Sequence, residues 1–132
     1  MWRQKFQEGF TLVEILIVVV IIGILATIAV PTYMNYVKRG YASDAKVQLK
    51  NILENCEIYE QENGEWPADL ETLEETGYLE IKESTKLKWE FEISDIEITA
   101  SSLPGMRGGE GEVITLFRRT GEFRGYGQKI KQ

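Results

Sequence analysis

Twenty successive residues of this chain, 15–34, carry no charge. Built as an α-helix rising ~1.5 Å per residue, they span roughly 30 Å, the thickness of a bilayer's hydrocarbon core. Glu14 stands directly before them, with apolar Leu12 and Val13 on its other side. A carboxylate at membrane depth costs on the order of 2.5 kcal/mol or more unless it finds a partner. Glu14 is therefore the first candidate for a functional residue. Its neighbours suggest the partner. A cut between Gly9 and Phe10 frees an α-amine at Phe10, four residues and one helical turn before Glu14. That amine can neutralise Glu14 within its own chain. It can also reach the Glu14 of another copy packed alongside, which turns a membrane liability into an assembly code.

The string GFTLVE, residues 9–14, followed by a long apolar helix, resembles the type IV pilins and the pseudopilins of type II secretion. The resemblance is sharp over roughly the first third of the chain and architectural after that. It implies a prepilin peptidase that cuts after Gly9 and methylates the new terminal Phe10. Thr11, Leu12 and Val13 fall in the same motif, and Glu14 takes the place of the acid that sets register between subunits. It also implies a helical homopolymer as the assembled state, and an inner-membrane assembly platform with its ATPase as partners. The chain is then a single-pass precursor in the cytoplasmic membrane, and later part of an extracellular or periplasmic filament.

The leader, residues 1–9, is too polar for the apolar part of a secretory signal, and the cut precedes the apolar run. The membrane helix is thus retained. Charge alone decides orientation poorly, because Arg3 and Lys5 precede the span while Lys38 and Arg39 follow it. The family resemblance puts the leader in the cytoplasm. Two residues disturb the span. Gly23 lowers helix propensity by about 1 kcal/mol relative to alanine. Pro31 lacks an N–H, so the carbonyl of Thr27 loses its helical partner. A mild kink is the plain reading. By resemblance, the segment 23–31 is helical in the lone subunit and stretches on assembly.

Four segments follow: the leader 1–9, a membrane and polymerisation helix 10–34, an amphipathic continuation 35–64 and a head 65–132. In the continuation, Ala42, Ala45, Leu49, Ile52, Cys56 and Tyr59 recur at spacings of three and four. The helix should end near Asn63-Gly64, where glycine supplies a left-handed cap. From Phe10 this is about 80 Å of helix if straight, more than a domain of this size can bury. Cys56, the sole cysteine, lies on the apolar stripe and reads as a buried structural thiol. Tyr33, Tyr36, Tyr41 and Tyr59 read as packing and interfacial anchors.

The head begins with a turn at Glu65-Trp66-Pro67 and a short helix over 69–76, closed by Gly77. Alternation predicts strands over 87–93, with Leu87, Trp89, Phe91 and Ile93 inward, and over 96–100, with Ile96, Ile98 and Ala100 inward. Ser94-Asp95 is the expected turn between them. A glycine-rich loop, 101–111, reads as mobile. Strands over 113–118 and 122–126 follow, with Thr120-Gly121 as their turn, and a polar tail, 129–132, is expected to fray. The fold class is α+β: a long N-terminal helix whose second half packs on a small antiparallel sheet of about four strands.

Composition narrows the function. The net charge is −6, which repels nucleic acid, so no specific nucleic-acid partner is expected. There is no histidine, so a serine or cysteine nucleophile lacks its usual base and the commonest metal ligand is missing. The loop PGMRGGEGE lacks the Lys-Ser/Thr of a phosphate cradle, and Glu110 and Glu112 make no calcium-loop pattern. No cofactor, metal site or catalytic group is expected. The leading expectation is a structural subunit of a type IV pilus. A type II secretion pseudopilin is the alternative. A membrane-anchored binding domain that never polymerises is the further one.

Overall fold

A computed structural model describes residues 9–127 of the chain. The expectations for residues 1–8 of the leader and for the tail 129–132 lie outside the described residues. The order of elements is α1 (Leu12–Asn63), α2 (Leu70–Glu75), α3 (Glu83–Lys86), β1 (Trp89–Ile93), β2 (Glu97–Ser102), β3 (Val113–Phe117) and β4 (Phe123–Gly125). This is the expected α+β class. The chain divides into two compact units, Met1–Met34 and Asn35–Gln132, and α1 supplies residues to both.

In the first unit α1 is apolar on every side. Its large side chains, from Ile15 to Met34, are all exposed. A helix without a polar face buries itself in other protein or in a membrane. Its few polar groups are satisfied locally. The hydroxyl of Thr27 donates to the Ile24 carbonyl at 2.6 Å, and that of Thr32 to the Ile28 carbonyl at 2.9 Å. Helix spans both Gly23 and Pro31.

In the second unit α1 changes character. Ala42, Ala45, Leu49, Ile52 and Cys56 are buried to 1% exposure or less, and Tyr59 packs beside them. This is the stripe that the three-and-four spacing predicts. The helix ends at Asn63, where Gly64 takes φ +79° and its N–H donates to the Glu60 carbonyl at 2.8 Å. The stripe lies on an antiparallel meander, ordered β1-β2-β3-β4 among the described residues. Trp89 and Phe91 of β1, Ile98 and Ala100 of β2, and Ile114 and Leu116 of β3 form its inner face. At Gly127 a Cβ would collide with that of Ala42, so glycine and alanine together let chain and helix touch.

Local chemistry sets the connections. Asp69 caps α2, accepting from the Thr72 N–H at 2.8 Å, and the Thr72 hydroxyl and N–H hold its carboxyl below the usual range. Leu73 is fully buried, and Leu79 and Ile81 return to the core.

Three expectations are corrected. The first strand begins at Trp89, not at residue 87, because the backbone of 82–88 is taken up by α3 and its flanks. The N–H of Leu87 bonds the Glu83 carbonyl, and that of Lys88 the Thr85 carbonyl. Leu87 is consequently 75% exposed. The second strand begins at Glu97. The N–H of Ser94 donates to the Glu97 carbonyl at 2.9 Å, and the Ser94 hydroxyl accepts from the N–H groups of Ile96 and Glu97. Asp95 and Ile96 therefore form the turn, and Ile96 is exposed rather than inward. Finally, the loop read as mobile is fastened to the core. Tyr126 donates its hydroxyl to the Gly108 carbonyl at 2.6 Å, and Met106 and Gly108 are buried. A Cβ at Gly108 would stand 2.6 Å from both Tyr126 Oη and Tyr41 Cδ2.

The burial contrast along α1 yields a direct test. Leu49→Ala should cost about 2–5 kcal/mol of head stability. Val47→Ala, on the exposed side, should stay within about 0.5 kcal/mol of the parent. Denaturant titration of the full chain in detergent, followed by near-ultraviolet circular dichroism, measures both.

Candidate functional site

The start of α1 brings together Thr11 and Glu14. Thr11 stands just before the helix. Its N–H donates to Glu14 Oε2 at 2.8 Å, and its Oγ1 accepts from the Glu14 N–H at 3.2 Å. The N–H of Ile15 closes the first helical bond to the Thr11 carbonyl at 3.2 Å. This is a reciprocal capping box, two side chains each satisfying the other's backbone donor. The sequence spells it as Thr-x-x-Glu, a spacing that a focus on the membrane charge passes over. Glu14 thus starts the helix in addition to whatever it does between molecules. Its carboxylate sits where the positive end of the helix dipole favours it.

Gly9 and Phe10 lie just outside the helix, and Phe10 is 84% exposed. A peptide bond between these two residues is open to approach. Gly23 and Pro31 stand nine and seventeen residues beyond Glu14, ~14 Å and ~25 Å along an ideal helix. They share a segment but no contact with the acid. Gly23 has open space where a Cβ would be. Among the described residues, α1 is the one helix long and apolar enough to cross a membrane.

Elsewhere the head carries a cluster that sequence reasoning missed. The Arg118 guanidinium stacks on the Trp66 ring at 3.6 Å and holds Glu60 Oε2 at 2.6 Å. Trp66 Nε1 donates to the Ser94 carbonyl at 2.9 Å. These contacts tie α1, the 65–67 turn and the sheet together. The residues are 28 to 58 positions apart, so no local spacing signals them. A surface cleft of about 590 Å³ opens beside the cluster, lined in part by Glu57, Ile96, Phe117, Arg119 and Arg124. Among the described residues, no group of three or more His, Cys, Asp or Glu stands close enough to hold a metal.

The prokaryotic N-terminal methylation motif matches residues 4–30, which include Gly9, Phe10 and Glu14. The match covers the start of α1 and most of its apolar stretch; the rest of α1 and the sheet lie beyond it. It is similar to the type IV major fimbrial protein FimA of Dichelobacter nodosus, at 45% identity over 65 residues, 47% of this chain and 42% of the relative. It is similar to the fimbrial protein EcpC of Eikenella corrodens, at 44% over 66 residues, 50% of this chain and 43% of the relative. The type IV major pilin protein PilE of Neisseria gonorrhoeae matches at 40% over 66 residues, 50% of this chain and 40% of the relative. The chain spans less than half the length of these relatives. Motif and relatives together make the N-terminal half of the chain similar to type IV major pilins and fimbrial proteins.

Cys56 is fully buried on the apolar stripe, as its position predicts. Burial pushes its thiol from 9.0 up to about 12, with Arg118 opposing. Between those two values the unfolded chain loses a proton that the folded chain keeps, so Cys56 lowers stability as pH rises through that window. Iodoacetamide at pH 8 should leave the folded protein unmodified and label it fully in denaturant, as read by intact mass. Prompt labelling of the folded chain would contradict the burial.

Proposed function

We propose that this chain is a structural subunit of a type IV pilus. It waits in the cytoplasmic membrane as a single-pass precursor, with the leader 1–9 on the cytoplasmic side. Prepilin peptidase cuts between Gly9 and Phe10, and the new terminus is N-methylated. An inner-membrane platform and its ATPase then move the subunit into a helical homopolymer outside the cytoplasm. The head carries no chemistry in this scheme; the role is structural.

One observation carries the proposal: a lone acid at the start of a helix whose every other residue through position 34 is uncharged and unburied. Hydrocarbon is as apolar as leucine, so moving this helix from lipid into a bundle of its own copies gains little from hydrophobicity. Selectivity has to come from packing and from polar pairs. The capping box occupies Glu14 Oε2. An ionised carboxylate has two acceptor oxygens, so the other can take a neighbour's Phe10 amine without breaking the cap. The pair forms only after cleavage, because an amide nitrogen has no positive charge. Unprocessed chains are thereby kept out of the polymer.

Gly23 and Pro31 give the helix a second task. Pro31 removes the donor for the Thr27 carbonyl, and Gly23 weakens the helix at the other end of the segment. The turns between them are the least costly to extend when subunits pack.

Mass spectrometry of the mature chain should find N-methylphenylalanine at position 10, and an intact Met1 in assembled material would defeat the scheme. Glu14→Ala should cut filament yield at least tenfold while the head stays folded; normal fibres from that variant would refute the pairing. Hydrogen exchange should show residues 23–31 protected in bilayers and faster in the filament. Equal protection in both would remove the role given to Gly23 and Pro31.

A further inference from the structure

The outer face of the sheet is charged unevenly. Register aligns Glu92 with Thr99, Thr99 with Thr115 and Thr115 with Arg124, one row across all four strands. A second row runs from Glu90 through Ser101 to Val113. These residues alternate with the buried inner face, so their side chains share the outer one. Within these two rows the β1 edge ends in two exposed carboxylates and the first row ends at β4 in an exposed guanidinium, with uncharged side chains between; Glu97 of β2 lies on the same face in the next row, beside Phe117.

The β4 side is reinforced from α1. Lys46 and Lys50 stand over the Phe123 ring at 5.4 and 5.7 Å. Arg119 lies in the adjacent turn and lines the cleft with Arg124. Three acids are near: Glu122 at 4.0 Å from Arg124, and Glu57 and Asp95 on the cleft wall. Four cations against three acids leave this flank slightly positive on a chain whose net charge is −6. Strands are spaced ~4.8 Å, so Glu92 and Arg124 are roughly 14 Å apart. That exceeds the ~8 Å screening length at physiological salt, so the two edges of one head do not neutralise each other.

We propose that the two edges are mates. The Lys46, Lys50 and Arg124 flank of one copy docks on the Glu90 and Glu92 edge of the next. The occupant is a second copy of this chain, because both halves of the complementary pair are displayed on one sheet. The contact joins two different patches, so it is heterologous and propagates along a helix instead of closing a two-fold dimer. A symmetric dimer through either patch would oppose like charges. This inference rests on the polymer reading and says which head surfaces meet.

Two charge-reversed chains test it at full length. Lys50→Glu with Arg124→Glu makes both flanks negative; Glu90→Lys with Glu92→Lys makes both positive. All four positions are surface sites outside the apolar core, and near-ultraviolet circular dichroism of each chain in detergent checks folding. Each variant alone should lose sedimentable filament at least roughly tenfold, and the two expressed together should recover it as a mixed polymer. Wild-type yield from either variant alone, or folded variants that stay unassembled when combined, overturns the inference and leaves the pilus reading standing. Glu14→Ala separates the two: normal filaments from that variant undo the Glu14 pairing on which the polymer reading depends.

Discussion

A carboxylate at the start of a helix built for hydrocarbon has to be held by something. The Thr11–Glu14 box supplies part of the answer within the chain. A capping interaction contributes about 1 kcal/mol, and the helix dipole about 0.3–1 kcal/mol more. Against a cost on the order of 2.5 kcal/mol, these leave a residue of about 1 kcal/mol unmet. In the proposed pilus, the acid is stable enough to be carried in the precursor and unsatisfied enough to favour a cationic partner. A stronger internal partner would remove the drive to assemble. A missing cap would fray the first turn and make the position of the carboxylate indefinite. The cap fixes where the charge is, and the missing charge partner decides what it seeks.

Everything after Glu14 follows from α1 meeting two environments. Before Asn35 its large side chains are all exposed, and no face is polar. After it, a stripe with alanine at positions 42 and 45 and larger residues at 49 and 52 lies under the sheet. Small residues permit close approach near Gly127, and larger ones fill the centre. Arg118 then locks the far end of the sheet to α1 through Glu60 and to the 65–67 turn through Trp66. The Arg118 contact is planar stacking plus an ion pair, which a lysine could not reproduce.

The sequence was readable wherever period and burial coincided. The stripe from Ala42 to Cys56 repeats at helical spacing over four turns, and its residues are the ones buried. Inner strand residues such as Phe91 and Ile98 were readable for the same reason. Leu87 and Ile96 were not, because alternation of apolar and polar types continues past the point where backbone hydrogen bonding changes. A turn at Asp95-Ile96 and a helical turn at Glu83–Lys86 consume the donors a strand would need. Those choices are made by Ser94 and by the backbone, not by hydropathy. The capping box was visible as a spacing and hidden by its apolar flanks. The Arg118 cluster had no local signature, since Glu60 is 58 residues away. The charge gradient across the sheet needed the register before it meant anything.

The magnitudes divide the labour between the two polar devices. An exposed ion pair contributes about 0–1 kcal/mol and weakens with salt. One pair between Arg124 and a neighbour's Glu92 could not hold a subunit in a polymer. It can reject wrong orientations, since like charges brought together cost several kcal/mol. A pair at membrane depth is different, because hydrocarbon neither screens it nor offers a substitute partner. In the proposed polymer, the amine–carboxylate pair therefore suits the task of admission, which must be decisive for each subunit. The sheet edges suit the task of orientation, which is repeated at every copy and can be weak at each. A filament that relied on the edges alone would dissolve in salt. One that relied on Glu14 alone would have no means to choose which way its heads face.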